Sequence, residues 1–598
     1  MCGLIALVGT VSSTFAVETL QPALKHMARR GPDAEGIWHA PGVWLGHRRL
    51  AIQDLDARSN QPLHSASGRY VIVFNGEIYN FDSLRHELAA TGVIFHTTSD
   101  TEVLLALFAA RGPLMLERLR GMFALVIWDR VARRAFVARD AYGIKPLYWS
   151  QTADGVLIAS QVRALLATGK VSRAPCARGQ ANFWLMGSVA EPYTWYQDVK
   201  ALPAGHFAWV DDGRMSTPQM WWDVAAAWRN APVALPRLAE VKERSHAALR
   251  ASIRAHLVAD VPVGVFLSGG IDSGALAGLM RDAGAQNLQG ITITYDEFTG
   301  TPNDEAPAAA ALAKHYGIAH HLRRVTRAEF EGDLPRILAA MDQPSVDGIN
   351  TWYASKAVAE LGLKVVVSGV GGDELFQGYP SFNQLPRLVS AWAPASRLPG
   401  AMSMAHAVMD WQARRTGNAR WRNLPEWVRT IAGAWWLRRG LFSPSELPTL
   451  MGVDLAAKGL QGFSPEVWIG QMSGTLAADG WLAVGQIEST TYMLNQLLRD
   501  SDWASMDHSV ELRTPLVDAW LLRDLQPLLG ALRKFPQKRL LAESPALRLP
   551  EAIITRQKSG FCIPVQTWLK QMGKTDGSGG PSNAWAIEVA RSYDEVDV

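Results

Sequence analysis

Residue 2 of this chain is a cysteine followed by glycine, in the run Met1-Cys2-Gly3-Leu4-Ile5. Once Met1 is removed, Cys2 carries both a thiol and the free α-amine. With unperturbed pKa values of about 8.5 and about 8, the amine can act as the thiol's own base. Two further runs have the composition to hold an anion. Val263-Gly264-Val265-Phe266-Leu267 leads into Ser268-Gly269-Gly270-Ile271-Asp272-Ser273, and a second apolar run ends in Ser368-Gly369-Val370-Gly371-Gly372-Asp373. Glycines let backbone approach a ligand, and the N–H groups at a helix start supply positive potential. The first run is not a Walker A loop, because its Gly-Lys-Ser/Thr ending is absent.

Such groups need strands to hold them. Residues 1–215 read as an α+β domain of short strands, Arg69–Asn75 and Met122–Asp129 among them, with helical patches over Asp82–Thr91 and Asp100–Arg111. Residues 216–240 are rich in Ala and Pro and read as a linker. Over residues 241–572 strands alternate with helices: Val263–Leu267 then a helix from about Ser273, Gln289–Tyr295 then a helix from about Asn303, and then Lys364–Ser368. That alternation predicts an α/β domain with a parallel sheet, and residues 385–570 a largely helical C-terminal part. Residues 573–598 open on Gly-Lys-Thr-Asp-Gly-Ser-Gly-Gly-Pro and read as a tail that adds little to the core.

At 598 residues the chain is too long for one core, and 48% hydrophobic with 19% charged residues is ordinary for a globular protein in water. A net charge of +3 is too small to argue for a nucleic-acid partner. No apolar run approaches the roughly 20 residues that span a bilayer, so no membrane partner is expected. Cys2, Cys176 and Cys562 are widely separated and form neither CxxC nor a Cys/His metal spacing. No signal peptide is visible at the start, and a free Cys2 thiol suits a reducing cytoplasm.

Four short runs accompany Cys2: Arg29-Arg30-Gly31-Pro32-Asp33, Arg49-Leu50-Ala51-Ile52, Asn75-Gly76-Glu77-Ile78-Tyr79-Asn80 and Ser99-Asp100-Thr101-Glu102. Singly they read as a loop, a surface charge, a turn and a helix cap. In this order behind Cys2 they resemble the glutaminase domain of class II glutamine amidotransferases, over about residues 1–210. The resemblance implies an N-terminal-nucleophile hydrolase of α/β/β/α layers, in which Cys2 attacks the amide of glutamine. It also implies an oxyanion hole from Asn75 and the Gly76 N–H, with Arg49 on the substrate α-carboxylate and Glu77 and Asp100 on its α-ammonium.

The run Ser268–Ser273 after a strand resembles the PP-loop of ATP pyrophosphatases. Leu498–Met506, Glu511–Asp518 and Arg556-Gln557-Lys558-Ser559-Gly560-Phe561 are similar to segments of the glutamine-dependent asparagine synthetase family. The likeness covers residues 1–570. It implies nucleotide contacts from Leu267, Ser268, Gly269, Gly270, Asp272, Ser273, Ile293, Ser368 and Gly369, Mg2+ on Asp272 and Asp373, and pyrophosphate on Lys558. The substrates implied are glutamine, ATP and aspartate: ammonia from glutamine would attack an acyl-AMP and give asparagine. Another carboxylate, a sugar acid or a peptide, is the alternative acceptor, and a homodimer is left open.

Two positions depart from the family. Val370 stands where the family commonly has an acid or another group able to assist proton transfer, so either Glu374 takes that role or the acceptor differs. Gln161 stands where the family usually has Glu, with interdomain contacts as the expected casualty. Residues 411–440 hold seven arginines, five tryptophans and one acid, Glu426, and read as packed helices with tryptophans inward and arginines outward. His320-His321 reads as structural or surface.

Overall fold

The computed structural model describes residues 2–10, 17–232, 236–416, 419–557, 563–575 and 581–595. In the first domain the strands Gly3–Val8 and Tyr70–Ile78 are buried at every position and Gly121–Asp129 at all but the first, as in strands covered on both faces. One antiparallel sheet has the order Lys200–Ala201, Tyr148–Thr152, Gly155–Ala159, Gly3–Val8, Val43–Arg49, Ala34–Ala40. The second, also antiparallel, runs Arg214–Met215, His206–Asp211, Arg134–Arg139, Gly121–Asp129, Tyr70–Ile78, Leu63–His64. The sheets pack face to face through Leu4, Ala6, Leu45, Val73 and Val126. Helices Phe81–Ala90 and Asp100–Arg111 cover one outer face through Leu84, Leu88, Leu104 and Phe108. Helices Gln21–His26 and Val162–Ala167 cover the other through Leu24 and Leu165. The result is the α/β/β/α sandwich, with Cys2 entering one sheet beside Arg48 and Arg49 and opposite Asn75 of the other.

The second domain holds a parallel sheet in the order Ala319–Val325, Gln289–Tyr295, Val263–Phe266, Val365–Val367, Glu511–Arg513. The strand order reverses between Val263–Phe266 and Val365–Val367. Both Gly-rich loops therefore leave the sheet side by side at a topological switch point, where open α/β sheets bind ligands. Glu511–Arg513 is a three-residue, fully buried strand inside the stretch expected to be helical. The remainder of that stretch is helical, including a π-helical segment Glu488–Leu498 that runs into the helix Arg499–Met506.

Two segments differ from expectation. Within 216–240, Gln219–Met220 pairs with His206–Asp211, and Val224–Arg229 is a helix whose Trp228 is buried against Gly485. The tail does add to the core: helix Pro581–Glu595 buries Trp585, Val589 and Tyr593, and the Tyr593 hydroxyl donates to the Met341 carbonyl at 2.6 Å. A Gly/Ser-rich opening conceals an amphipathic helix. In 411–440, Trp435 and Trp436 are buried as expected, but Trp411 is exposed, against expectation, and Arg439 turns inward. The His320 ring meets the Thr292 hydroxyl at 2.8 Å.

Two candidate active sites joined by buried charges

Cys2 is buried, and burial is the largest influence on its thiol, pushing it above the ordinary value. The Leu50 N–H and the nearby Arg49 charge act the other way. The Cys2 N–H donates to Asn75 Oδ1 at 2.9 Å, which fixes the carboxamide's orientation. Asn75 Nδ2 is thereby left buried without a hydrogen-bond partner. An orphaned donor beside a nucleophile is what an oxyanion requires. Gly76 follows where no side chain fits, since a Cβ would lie 2.1 Å from the Met122 carbonyl oxygen.

The charged groups lie around this pair. Arg49 has no ion pair among the described residues. Its terminal nitrogens donate to the carbonyls of Gln53, Asp54 and Asp56 and to Asn60 Oδ1, so a substrate carboxylate must share or displace one of these bonds. Burial pushes Asp100 up to about 6, although the Ile78 N–H donates to it at 3.0 Å. Burial, then Glu511 and Asp100, push Glu77 well above the usual carboxylate range. Glu511 and Arg513, from the second domain, complete this cluster.

Sequence reasoning missed the residues that join the domains. Arg30 Nε donates to the Cys2 carbonyl at 3.1 Å, while its two terminal nitrogens donate to Asp502 at 2.7 and 3.1 Å. Lys145 Nζ lies 3.6 Å from the same carboxylate. Burial alone would raise Asp502, but Arg30 and Lys145 together hold it below the usual range. At Gln161 the interdomain contact is made by Asp342, which accepts the Val162 and Arg163 N–H groups at 2.8 and 2.9 Å.

The second site is a cavity of about 760 Å³ lined by Leu267, Ser268, Gly269, Gly270, Asp272, Ser273, Ile293, Ser368, Gly369 and Asp373. Every nucleotide-contact residue expected from the sequence lines it except Lys558, which lies outside the described residues. The Ser268 and Ser273 hydroxyls meet at 2.9 Å and tie the loop into a ring. Close approach demands glycine at Gly369 and Gly372, whose Cβ atoms would lie 2.8 Å and 2.4 Å from Asp272 atoms. Lys538, not foreseen, bridges the two candidate metal-holding acids: its Nζ is 2.5 Å from Asp272 and also pairs with Asp373. Gln537 and Lys538 both have left-handed backbone, at φ 55° and 54°. Such strain in non-glycine residues concentrates at functional sites.

The same cavity is also lined by Val370, Asp347, Glu374, Tyr379, Tyr492 and Asp500. Val370 offers no proton acceptor. Burial, then the neighbouring Asp373, push Glu374 up to about 7, and the Tyr379 hydroxyl donates to it at 2.8 Å. Burial, then Asp347, push Asp500 up to about 7. The Arg439 guanidinium stacks 4.5 Å from the centre of the Tyr379 ring and 3.9 Å from that of Tyr492, and pairs with Glu488 at 2.9 Å.

An N-terminal-nucleophile sandwich with a buried cysteine, joined to a Gly-looped parallel sheet, defines a two-site glutamine amidotransferase. The glutamine amidotransferase domain family matches residues 1–222, and the asparagine synthase family matches residues 245–576. A putative glutamine-hydrolyzing asparagine synthetase of Mycobacterium tuberculosis is 32% identical over 95% of this chain and 88% of its own. Glutamine-hydrolyzing asparagine synthetase 1 of Bacillus subtilis is 30% identical over the same shares. Amidase chyE of Penicillium rubens is 28% identical over 95% of this chain and 89% of its own. The chain belongs to the asparagine synthase family and is an ATP-dependent, glutamine-hydrolysing carbon–nitrogen ligase. Among the described residues no helix is long and apolar enough to cross a membrane.

Proposed function

We propose that the chain releases ammonia from glutamine at Cys2 and delivers it to a carboxylate activated by ATP in the second domain. The observation that carries this is Arg30, which bonds both the carbonyl of Cys2 and Asp502 on the helix Arg499–Met506, whose Asp500 and Ser501 line the nucleotide cavity. With Met1 removed, the α-amine of Cys2 takes the thiol proton. The thiolate attacks the glutamine carboxamide carbon, the protonated α-amine returns that proton to the leaving nitrogen so that ammonia departs, and water hydrolyses the glutamyl thioester. Asn75 Nδ2 and the Gly76 N–H donate to the oxyanion, where loss of one donor costs about 3 kcal/mol. Arg49 holds the α-carboxylate, and Glu77 with Asp100 the α-ammonium.

In the second domain an oxygen of the acceptor carboxylate attacks the α-phosphorus of ATP. Pyrophosphate leaves, and ammonia then displaces AMP from the acyl-AMP. Asp272 and Asp373, facing one another across Lys538, suit Mg2+, which takes one or two carboxylates together with phosphate oxygens and would neutralise the triphosphate. Lys538 adds a fixed cation there, and Lys558 is assigned to pyrophosphate by resemblance alone. Neutral ammonia needs a path that excludes water, for which the buried Arg30–Asp502–Lys145 cluster supplies a boundary. A free Cys2 thiol suits the cytoplasm.

Aspartate is the acceptor suggested by the relatives' names. Val370 favours the second reading, another carboxylate such as a sugar acid or a peptide, because valine can neither accept a proton nor orient an amine. Pyrophosphate release stimulated by aspartate, with asparagine as product, would establish the first acceptor. Silence with aspartate and release with another acid would establish the second.

A further inference from the structure

We infer that the acceptor is a carboxylic acid bearing an ammonium group and no second carboxylate. This rests on reading the cavity as the site of the acyl-adenylate. Beyond the two partners of Lys538, and Glu305 at the start of the helix Ala306–Tyr316, the acids lining the cavity are Asp347, Glu374 and Asp500. Asp347 and Asp500 adjoin, since a Cβ on Gly348 would lie 3.1 Å from that of Asp500. Asp500 is held in place by the Ser345 hydroxyl at 2.7 Å and the Trp503 indole N–H at 2.8 Å.

The described cations lining this cavity are Lys538 and Arg556. Lys538 is committed to Asp272 and Asp373, and Arg556 donates to the carbonyls of Gly269, Pro302 and Asp304, on the loop side. Arg439, behind Tyr379 and Tyr492, is paired with Glu488. This part of the cavity wall therefore carries three acids and no uncommitted cation among the described residues. An ammonium is attracted there and desolvated with a charge-assisted partner. Among the described residues a second carboxylate meets acids and no uncommitted cation there. Aspartate keeps its α-carboxylate after its side chain is activated, so it matches half of this pattern. A plain uronic acid leaves the acids unmatched. An amino-uronic acid or an ω-amino acid matches all of it.

ATP–pyrophosphate exchange tests this without ammonia, using β-alanine, 2-amino-2-deoxyglucuronate, glucuronate and aspartate as acceptors. One of the two amine-bearing monocarboxylates should drive exchange at least about tenfold faster than glucuronate or aspartate. Asp347→Asn should then raise the KM for that acid about tenfold, with the KM values for ATP and ammonia within about twofold of the parent. Fastest exchange with glucuronate or aspartate overturns the assignment while leaving the acyl-adenylate reading intact. So does an Asp347→Asn effect confined to ammonia. Silence with every acid, glutamine still being hydrolysed, removes the acyl-adenylate reading and this assignment with it.

Discussion

Glu77 Oε2 lies 3.9 Å from Arg513 Nη2 across the domain boundary, and neither atom has a hydrogen-bond partner. The same arginine donates to Glu511 at 2.6 Å and to the carbonyls of His256 and Val258 at 2.7 Å each. Its own carbonyl accepts the Ser368 N–H at 2.8 Å, so one fully buried residue touches an acid of the first site and a loop of the second. Arg513→Ala leaves Glu77 and Glu511 buried without their cation. It should cost about 3–5 kcal/mol in urea unfolding, and a loss below about 1 kcal/mol would show the pair to be dispensable.

Cys2→Ala removes the nucleophile without touching the cavity around Ser268 and Asp272. Glutamine-dependent amidation should vanish, and ammonia-dependent amidation should stay within about threefold of the parent. Equal loss of both activities would contradict two separate sites.

Asp100 sets a pH dependence. Its carboxyl is pushed up to about 6, chiefly by burial, so below that pH it is increasingly protonated and, in the role proposed for it, cannot pair with the α-ammonium of glutamine. The KM for glutamine should rise as pH falls through 6, approaching about tenfold per unit, and level off above about pH 7. Glutaminase kinetics between about pH 5 and 8 check this, and a flat KM would remove Asp100 from the ammonium site.

Lys538→Met keeps the bulk but strips the charge between Asp272 and Asp373. Pyrophosphate formation should fall by about 100-fold, with hydrolysis of glutamine within about threefold. A parallel fall in glutamine hydrolysis would place Lys538 in the structural frame instead.

Ending the chain after Thr575 removes the helix Pro581–Glu595 and with it the buried Trp585, Val589 and Tyr593. Each large apolar side chain contributes about 1.5–3 kcal/mol, so the shortened protein should melt several degrees lower. An unchanged melting temperature would show the helix to be mere decoration.

Local pattern made much of this molecule legible. The helix Asp100–Arg111 is bounded by its Ser99 cap and Gly112, and the strands before both Gly-rich loops belong to apolar runs that stop at a Ser-Gly pair. What escaped detection depends on distant partners. Arg30 and Asp502 are 472 residues apart, and nothing near either announces the other. Lys538 acquires its role from a left-handed turn that sequence propensity disfavours. Glu511–Arg513 is too short to show a period of two, and the closing helix stands behind residues typical of a flexible tail.

Arg30 grips the nucleophile's own carbonyl with one nitrogen and a carboxylate of the neighbouring domain with the other two. The reactive end of the first domain is therefore tied, through one guanidinium, to the second. Severed from its partner, it would lose the anchor behind its reactive residue. Thrift is thus written into the tether: glutamine is split where the machinery that spends its nitrogen is physically attached.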